Sequence, residues 1–180
     1  MFDVKRVSPL VKSTVRFGLL GGVLGLVLLL GMYYLGKHPF LTSIFFDFRI
    51  LLFSVFMFFS LKEVRDYDQN GELFFWQGMV GCFLFTFTFA VVSSALLYAF
   101  ATWQPEFVSS FIKLSLEQVR TFSAEDIERI GRSTYDEGIK ALQMADAYYM
   151  ASRYFFQSFI LSFFISIIIS VILRRQPKTP

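Results

Sequence analysis

Three uninterrupted charge-free stretches constrain this chain more than any other feature: Phe17–Gly36, Leu73–Pro105 and Tyr154–Leu173, of 20, 33 and 20 residues. A fourth, Ile50–Leu61, of 12 residues, extends outward through Leu41–Phe48 with Asp47 and Arg49 as its only charges. An apolar run of about 18 residues or more is long enough to cross a bilayer as a helix. Of the 180 residues, 55% are apolar and 17% charged, against about 45–50% and about 25% in an ordinary soluble domain. This excludes a soluble globular enzyme, a nucleic-acid module and a disulfide scaffold.

The runs predict four transmembrane helices, at about Phe17–Leu35, Leu41–Leu61, Phe74–Phe100 and Tyr149–Leu173. The expected fold is all-α: a polytopic membrane protein forming one four-helix transmembrane domain over residues 1–180. Residues 104–148 form an amphipathic helical insertion between the third and fourth spans. The only tryptophans, Trp76 and Trp103, bracket the third span 27 residues apart. At about 1.5 Å rise per residue that is about 40 Å, the thickness of a bilayer with its headgroups. Tryptophan favours that interface, so both are expected to be interface anchors.

Charge sets the orientation. Lys5, Arg6, Lys12, Arg16, Lys62, Arg65, Arg174, Arg175 and Lys178 fall on one side of the spans. The other side has Lys37 and the insertion, which holds five basic residues against eight acidic ones. Short basic loops stay in the cytoplasm. Both termini are therefore expected inside, and the insertion outside. The basic start before an apolar run with no small-residue cleavage motif reads as an uncleaved signal anchor. Neither Phe2 nor the cysteine-free C-terminal tail offers a lipidation signal. The net charge of +3 is the remainder of this asymmetry and not a nucleic-acid patch.

Helical signals run through the insertion. Pro105 and Glu106 suit a first helical turn, and Phe107, Val108, Phe111 and Ile112 share a face. Ser123 with Asp126 forms a capping-box-like start. The last stretch is expected to run straight into the fourth span. Its apolar face either caps the spans or docks a partner.

The strongest candidate site lies inside the second span. Ionisable groups within a span are costly and usually face the protein interior or water. Asp47 and Arg49 are two apart and would not face each other within a helix. Each therefore needs its own partner. Arg153 sits at similar depth on the fourth span, with Gln157 one turn deeper. The expectation is an Asp47–Arg153 pair with Gln157 beside it, and Arg49 snorkelling outward or meeting Asp146. Such a polar cluster is either a small pocket or structural glue.

Helix packing has its own signal. Gly18, Gly21, Gly22 and Gly25 form overlapping small-xxx-small pairs, which let helix backbones approach closely. They serve packing among the spans or contact with another subunit, and Gly78 and Gly81 are placed on the same seam. Phe83, Phe85, Phe87 and Phe89 scatter around a helix and make no single stripe. The lone loop histidine, His38, is expected to be solvated. The one cysteine, Cys82, sits inside a span. No His, Cys or carboxylate cluster has metal-site spacing, no catalytic motif is present, and no cofactor is expected.

Arg65-Asp66-Tyr67, the polar turn at Asn70-Gly71, Phe74/Phe75 with Gln77-Gly78 and Gly81, and Ser123–Asp126 follow one another in a familiar layout between basic-flanked spans. The chain resembles the small four-span bacterial membrane proteins of the domain of unknown function 4199 family. Where that family usually shows a second glycine beside Gly71, this chain has Glu72. The resemblance implies an inner-membrane location and no particular activity. Two readings follow: a non-enzymatic accessory or assembly subunit of a membrane complex, or a small oligomeric transporter or channel. The expected partners are the lipid bilayer and either a membrane protein or further copies of the chain, with no nucleic acid.

Overall fold

The computed structural model describes residues 4–43 and 46–176; the readings that touch Phe2 and Lys178 lie outside them. Its long elements are all helical. Helix α1 (Val4–Tyr34) leads through a 3-10 turn (Pro39–Leu41) to α2 (Phe48–Glu63), which continues into a π-helical turn (Val64–Asp68). Helix α3 (Phe75–Trp103) is followed by three shorter helices, α4 (Pro105–Arg120), α5 (Ala124–Ile130) and α6 (Arg132–Gln143), and by α7 (Ala147–Leu173). Pro105 opens α4, and Ser123 caps α5 reciprocally with Asp126.

Three helices are long and apolar enough to cross a membrane: Pro9–Tyr34, Phe75–Trp103 and Ala147–Leu173. The second apolar segment is shorter than its sequence pattern predicts. Pro39 starts a separate turn, and Asp47 takes an extended backbone and caps α2, so the helix begins only at Phe48 and runs for 16 residues. The segment before α7 also does not run straight into it. Asp146 accepts the Tyr149 N–H at 2.7 Å and starts α7 afresh after α6 ends at Gln143.

Helix α3 packs along both α1 and α7, and α2 fills the space between α1 and α7. The glycines of α1 explain how closely α1 meets α3. A Cβ on Gly18 would stand 2.9 Å from the Phe85 carbonyl oxygen, and one on Gly25 would stand 2.8 Å from the Phe89 ring. Gly22 faces Val92, and Gly21 faces Leu52, Phe85 and Phe89. The seam therefore admits two phenylalanine rings of α3, which are fully buried with Phe53 of α2. Phe53 and Phe89 meet edge to face at 4.8 Å. Phe83 and Phe87, on the other side of α3, are exposed. Gly81 joins this seam against Leu10, Thr14 and Leu61, whereas Gly78 faces Ser170 of α7 instead.

Helix α7 carries a second small-residue stripe. Ser158, Ser162, Ser166 and Ser170 recur every four residues and are all buried. Small side chains at that spacing allow close helix approach where lipid supplies no hydrophobic force between helices. Trp76 and Trp103 lie at opposite ends of α3 and are both exposed. At the end holding Trp76, Leu73 and Arg175 exchange two backbone hydrogen bonds of 2.9 Å, tying the exit of α7 to the entry of α3. Asn70 and Gly71 turn the chain there with φ of 52° and 83°.

Candidate functional site

Asp47 is the first residue of the site, and its place just outside the helix decides the geometry. As the N-cap of α2 it accepts the Arg49 backbone N–H at 2.9 Å. Its carboxylate then turns back on the Arg49 side chain, whose Nε donates to Oδ1 at 2.9 Å and to Oδ2 at 3.0 Å. This corrects the expectation that residues two apart stay separate. That rule holds within a helix, and Asp47 is not in one.

Arg49 is buried, with 3% of its side chain exposed. Its Nη1 donates to Ser158 Oγ at 3.2 Å and to the Tyr154 carbonyl at 3.3 Å. The guanidinium also lies 4.3 Å from the Tyr154 ring centroid. A buried charge is tolerated when it is paired and its remaining donors are satisfied. Here a carboxylate, a hydroxyl, a carbonyl and an aromatic face share the task. Asp146 is occupied elsewhere as the α7 cap.

The expected Asp47–Arg153 pair does not form. Arg153 and Tyr154 are consecutive on α7 and point about 100° apart. Tyr154 faces Arg49, while the Arg153 guanidinium sits 5.5 Å from the Phe111 ring centroid and 5.9 Å from that of Phe40. Gln157 does reach the site. It lines a cavity of about 10 Å³ together with Asp47, Arg49 and Tyr154. That volume holds at most one water.

His38 departs most from its expected setting. It is buried rather than solvated. One ring nitrogen, Nε2, lies 3.1 Å from the Phe107 carbonyl oxygen, and the ring stacks on Phe107 at 4.8 Å. Tyr33, Phe40 and Phe111 complete the cage. Burial pushes the imidazole pKa below its usual value, and the hydrogen bond to Phe107 offsets part of that. Phe107 and Phe111, the buried face of α4, thus cap the end of α1 and the 3-10 turn. Phe40 belongs to this cage and also meets Tyr154 at 6.1 Å, so the His38 and Arg49 clusters are continuous.

Beyond α4 the insertion buries little. Helices α5 and α6 contribute no buried residue. Among the described residues, no three His, Cys, Asp or Glu side chains gather closely enough to hold a metal ion.

A family model described as Protein of unknown function (DUF4199) matches residues 16–175. The chain belongs to that family. No curated protein and no solved structure matches it. In this DUF4199 protein the matched stretch contains the whole Asp47–Arg49–Tyr154 cluster, the His38 cage and the Arg65-Asp66-Tyr67 turn. Sequence reasoning missed Tyr154, Ser158 and His38 as site residues. The four-residue serine spacing on α7 was a legible signal for Ser158. Nothing local marks His38, whose burial depends on α4 folding back from 69 residues away.

Proposed function

We propose that this DUF4199 protein is a four-span inner-membrane protein, with both termini cytoplasmic, that serves as a non-enzymatic accessory or assembly subunit of a membrane complex. The observation that carries this reading is the closure of the polar site. Arg49 and Asp47 spend their charges on each other, on Ser158 and on Tyr154. A transporter or channel would present such charges to a water-filled path.

The fourth crossing is supported by where α2 ends. Its start meets Tyr154 near the beginning of α7. Its end meets Leu10 and Gly81 through Leu61, and Arg16 through Glu63. With the π-helical turn it continues as helix from Phe48 to Asp68. In a four-helix bundle of this kind, basic residues gather at the α1 start, the α2–α3 loop and the α7 exit, which favours cytoplasmic placement of that end. Partner binding is supported by α5 and α6. Their exposed Ile130 and the neighbouring Phe122 and Met144 lie on the insertion without a covering element.

The test is capture of the full chain from native membranes in mild detergent, with native mass spectrometry of the product. The expected result is one stoichiometric membrane-protein partner, lost on Ile130→Asp and retained on Asp47→Asn. A clean homo-oligomer whose liposomes pass ions, with flux abolished by Asp47→Asn, would overturn the reading.

A further inference from the structure

At the end of the molecule opposite His38, α1, α2 and the π-helical turn enclose an open cleft of about 720 Å³. Its walls change character along their length. Phe17 and Phe59 form the apolar part. Phe17 begins the charge-free run of α1, and Phe59 lies near the end of that of α2. Phe17 meets Phe56 edge to face at 6.0 Å behind them. Exposed Leu20 and Val55 continue the apolar surface away from the cleft along the same helices.

The other part of the cleft is charged with both signs. Arg16 and Lys62 stand beside Glu63, Asp66 and Asp68. Arg16 pairs with Glu63, and Arg65 pairs with Asp66 at 2.7 Å. Lys62 and Asp68 are exposed and have no ion-pair partner among the described residues. A second opening of about 340 Å³ shares Arg16, Glu63 and Asp68 and extends the charged region to Lys12. The π-helical turn supplies Asp66, Tyr67 and Asp68 to the wall, and such turns are frequent at functional sites.

The cleft therefore sits where two adjacent helices pass from apolar to charged sequence, the level of lipid headgroups. It offers Lys62 and Asp68, neither of them ion-paired among the described residues, in one lining. Arg16 neutralises Glu63 and Arg65 neutralises Asp66, which leaves Lys62 and Asp68 as the charges on offer in the cleft, so a purely anionic headgroup would meet Lys62 and leave Asp68 unmatched. A ligand carrying a phosphate, an ammonium and apolar chains matches all three features.

We infer that the cleft between α1, α2 and the π-helical turn binds the headgroup of a zwitterionic aminophospholipid, a phosphatidylethanolamine. Its phosphate lies toward Lys62 and Arg16 and its ammonium toward Asp68 and Glu63. The acyl chains leave over Phe17 and Phe59. The ammonium of this lipid donates hydrogen bonds to a carboxylate, which the quaternary ammonium of phosphatidylcholine cannot do. The inference rests on α1 and α2 both lying in the membrane. That placement is read separately by cysteine labelling, so a chain that labels as expected and shows no headgroup preference fails on this point alone.

The test uses the full chain, stripped of lipid in detergent and titrated with phosphatidylethanolamine, phosphatidylglycerol or phosphatidylcholine of matched acyl chains. Native mass spectrometry reads the retained lipid. The ethanolamine lipid is expected to be retained about fivefold more than either of the others, the effect of one partly screened ion pair. Asp68→Asn lowers its retention and does not lower that of phosphatidylglycerol, whereas Lys62→Gln lowers both. Both side chains are exposed, so neither change disturbs the packed helices. Equal retention of the three lipids, or unchanged phosphatidylethanolamine retention in both variants, overturns the inference. Displacement of the lipid by water-soluble glycerophosphoethanolamine at matched concentration overturns its assignment to a lipid.

Discussion

The Arg49 guanidinium lies 4.3 Å from the centroid of the Tyr154 ring while its Nε bonds both oxygens of Asp47. The contact joins the start of α2 to the first turns of α7. It also places a cation against an aromatic face in a setting with little water, where such contacts are strongest.

Removing one member of this cluster should cost more than removing both charges. Arg49→Ala leaves the Asp47 carboxylate without its cation and is expected to lose about 3 kcal/mol or more. Asp47→Asn combined with Arg49→Met leaves no uncompensated charge and should cost less than the two single changes summed. Thermal unfolding in detergent reads the difference. Exchanging charges as Asp47→Arg with Arg153→Asp should give no rescue, because Arg153 rests on Phe40 and Phe111.

The glycine seam predicts opposite signs for the same substitution on one helix. Gly18→Ala forces a methyl to 2.9 Å from the Phe85 carbonyl oxygen and 2.8 Å from the Thr88 Cβ. Overpacking against backbone should cost about 1–3 kcal/mol. Gly31 also lies in α1, and a Cβ there would meet nothing within 4 Å. Gly31→Ala should stabilise the helix by about 0.5–1 kcal/mol. Unfolding of the two variants side by side checks both signs.

His38 makes α4 docking pH-dependent. Its folded pKa is lowered from 6.5 by burial. The unfolded or undocked state therefore binds more protons in the window just below that value, and stability rises with pH through it. Docking is complete above 6.5 and weakens as the pH falls toward the folded pKa. A protonated ring would also approach Arg153, which rests on Phe40 and Phe111 of the same cage. Protection of the α4 amides, taken relative to their intrinsic exchange rates at each pH, should be lower at mildly acidic pH than at neutral pH, and His38→Phe should remove that dependence. Protection indifferent to pH in the unaltered chain would contradict a docking role for the neutral ring.

The insertion predicts a local effect. Ser123→Ala removes the hydroxyl that accepts the Asp126 N–H at 3.1 Å. Helix α5 should fray at a cost of about 1 kcal/mol, seen as faster exchange confined to α5, with α3 and α7 unaffected.

The membrane character and the main helices are legible in the sequence because long charge-free runs have one common outcome. The Asn70-Gly71 turn, the Pro105 start and the Ser123 cap are legible because each is a local backbone preference. Legibility ends where a residue's role depends on its exact distance from a helix start. Treating Leu41–Leu61 as continuous helix puts Asp47 inside it and separates Asp47 from Arg49. The extended backbone at Asp47 reverses this. His38 escapes a sequence reading because its environment is supplied by α4 and not by its own loop. Proximity to Gly81 suggests the α1 seam for Gly78, but three residues turn a helix by about 300°, enough to face α7 instead.

Whether α2 completes a fourth crossing is decided by single cysteines at Lys37, Asn70 and Ser123 in a Cys82→Ala background. A membrane-impermeant maleimide is applied to spheroplasts and to inverted vesicles. Cys82 is buried and free, so its removal clears the background. With four crossings, Lys37→Cys and Ser123→Cys label from outside only, and Asn70→Cys labels from inside only. Labelling of Lys37→Cys and Asn70→Cys from the same side would contradict the fourth crossing.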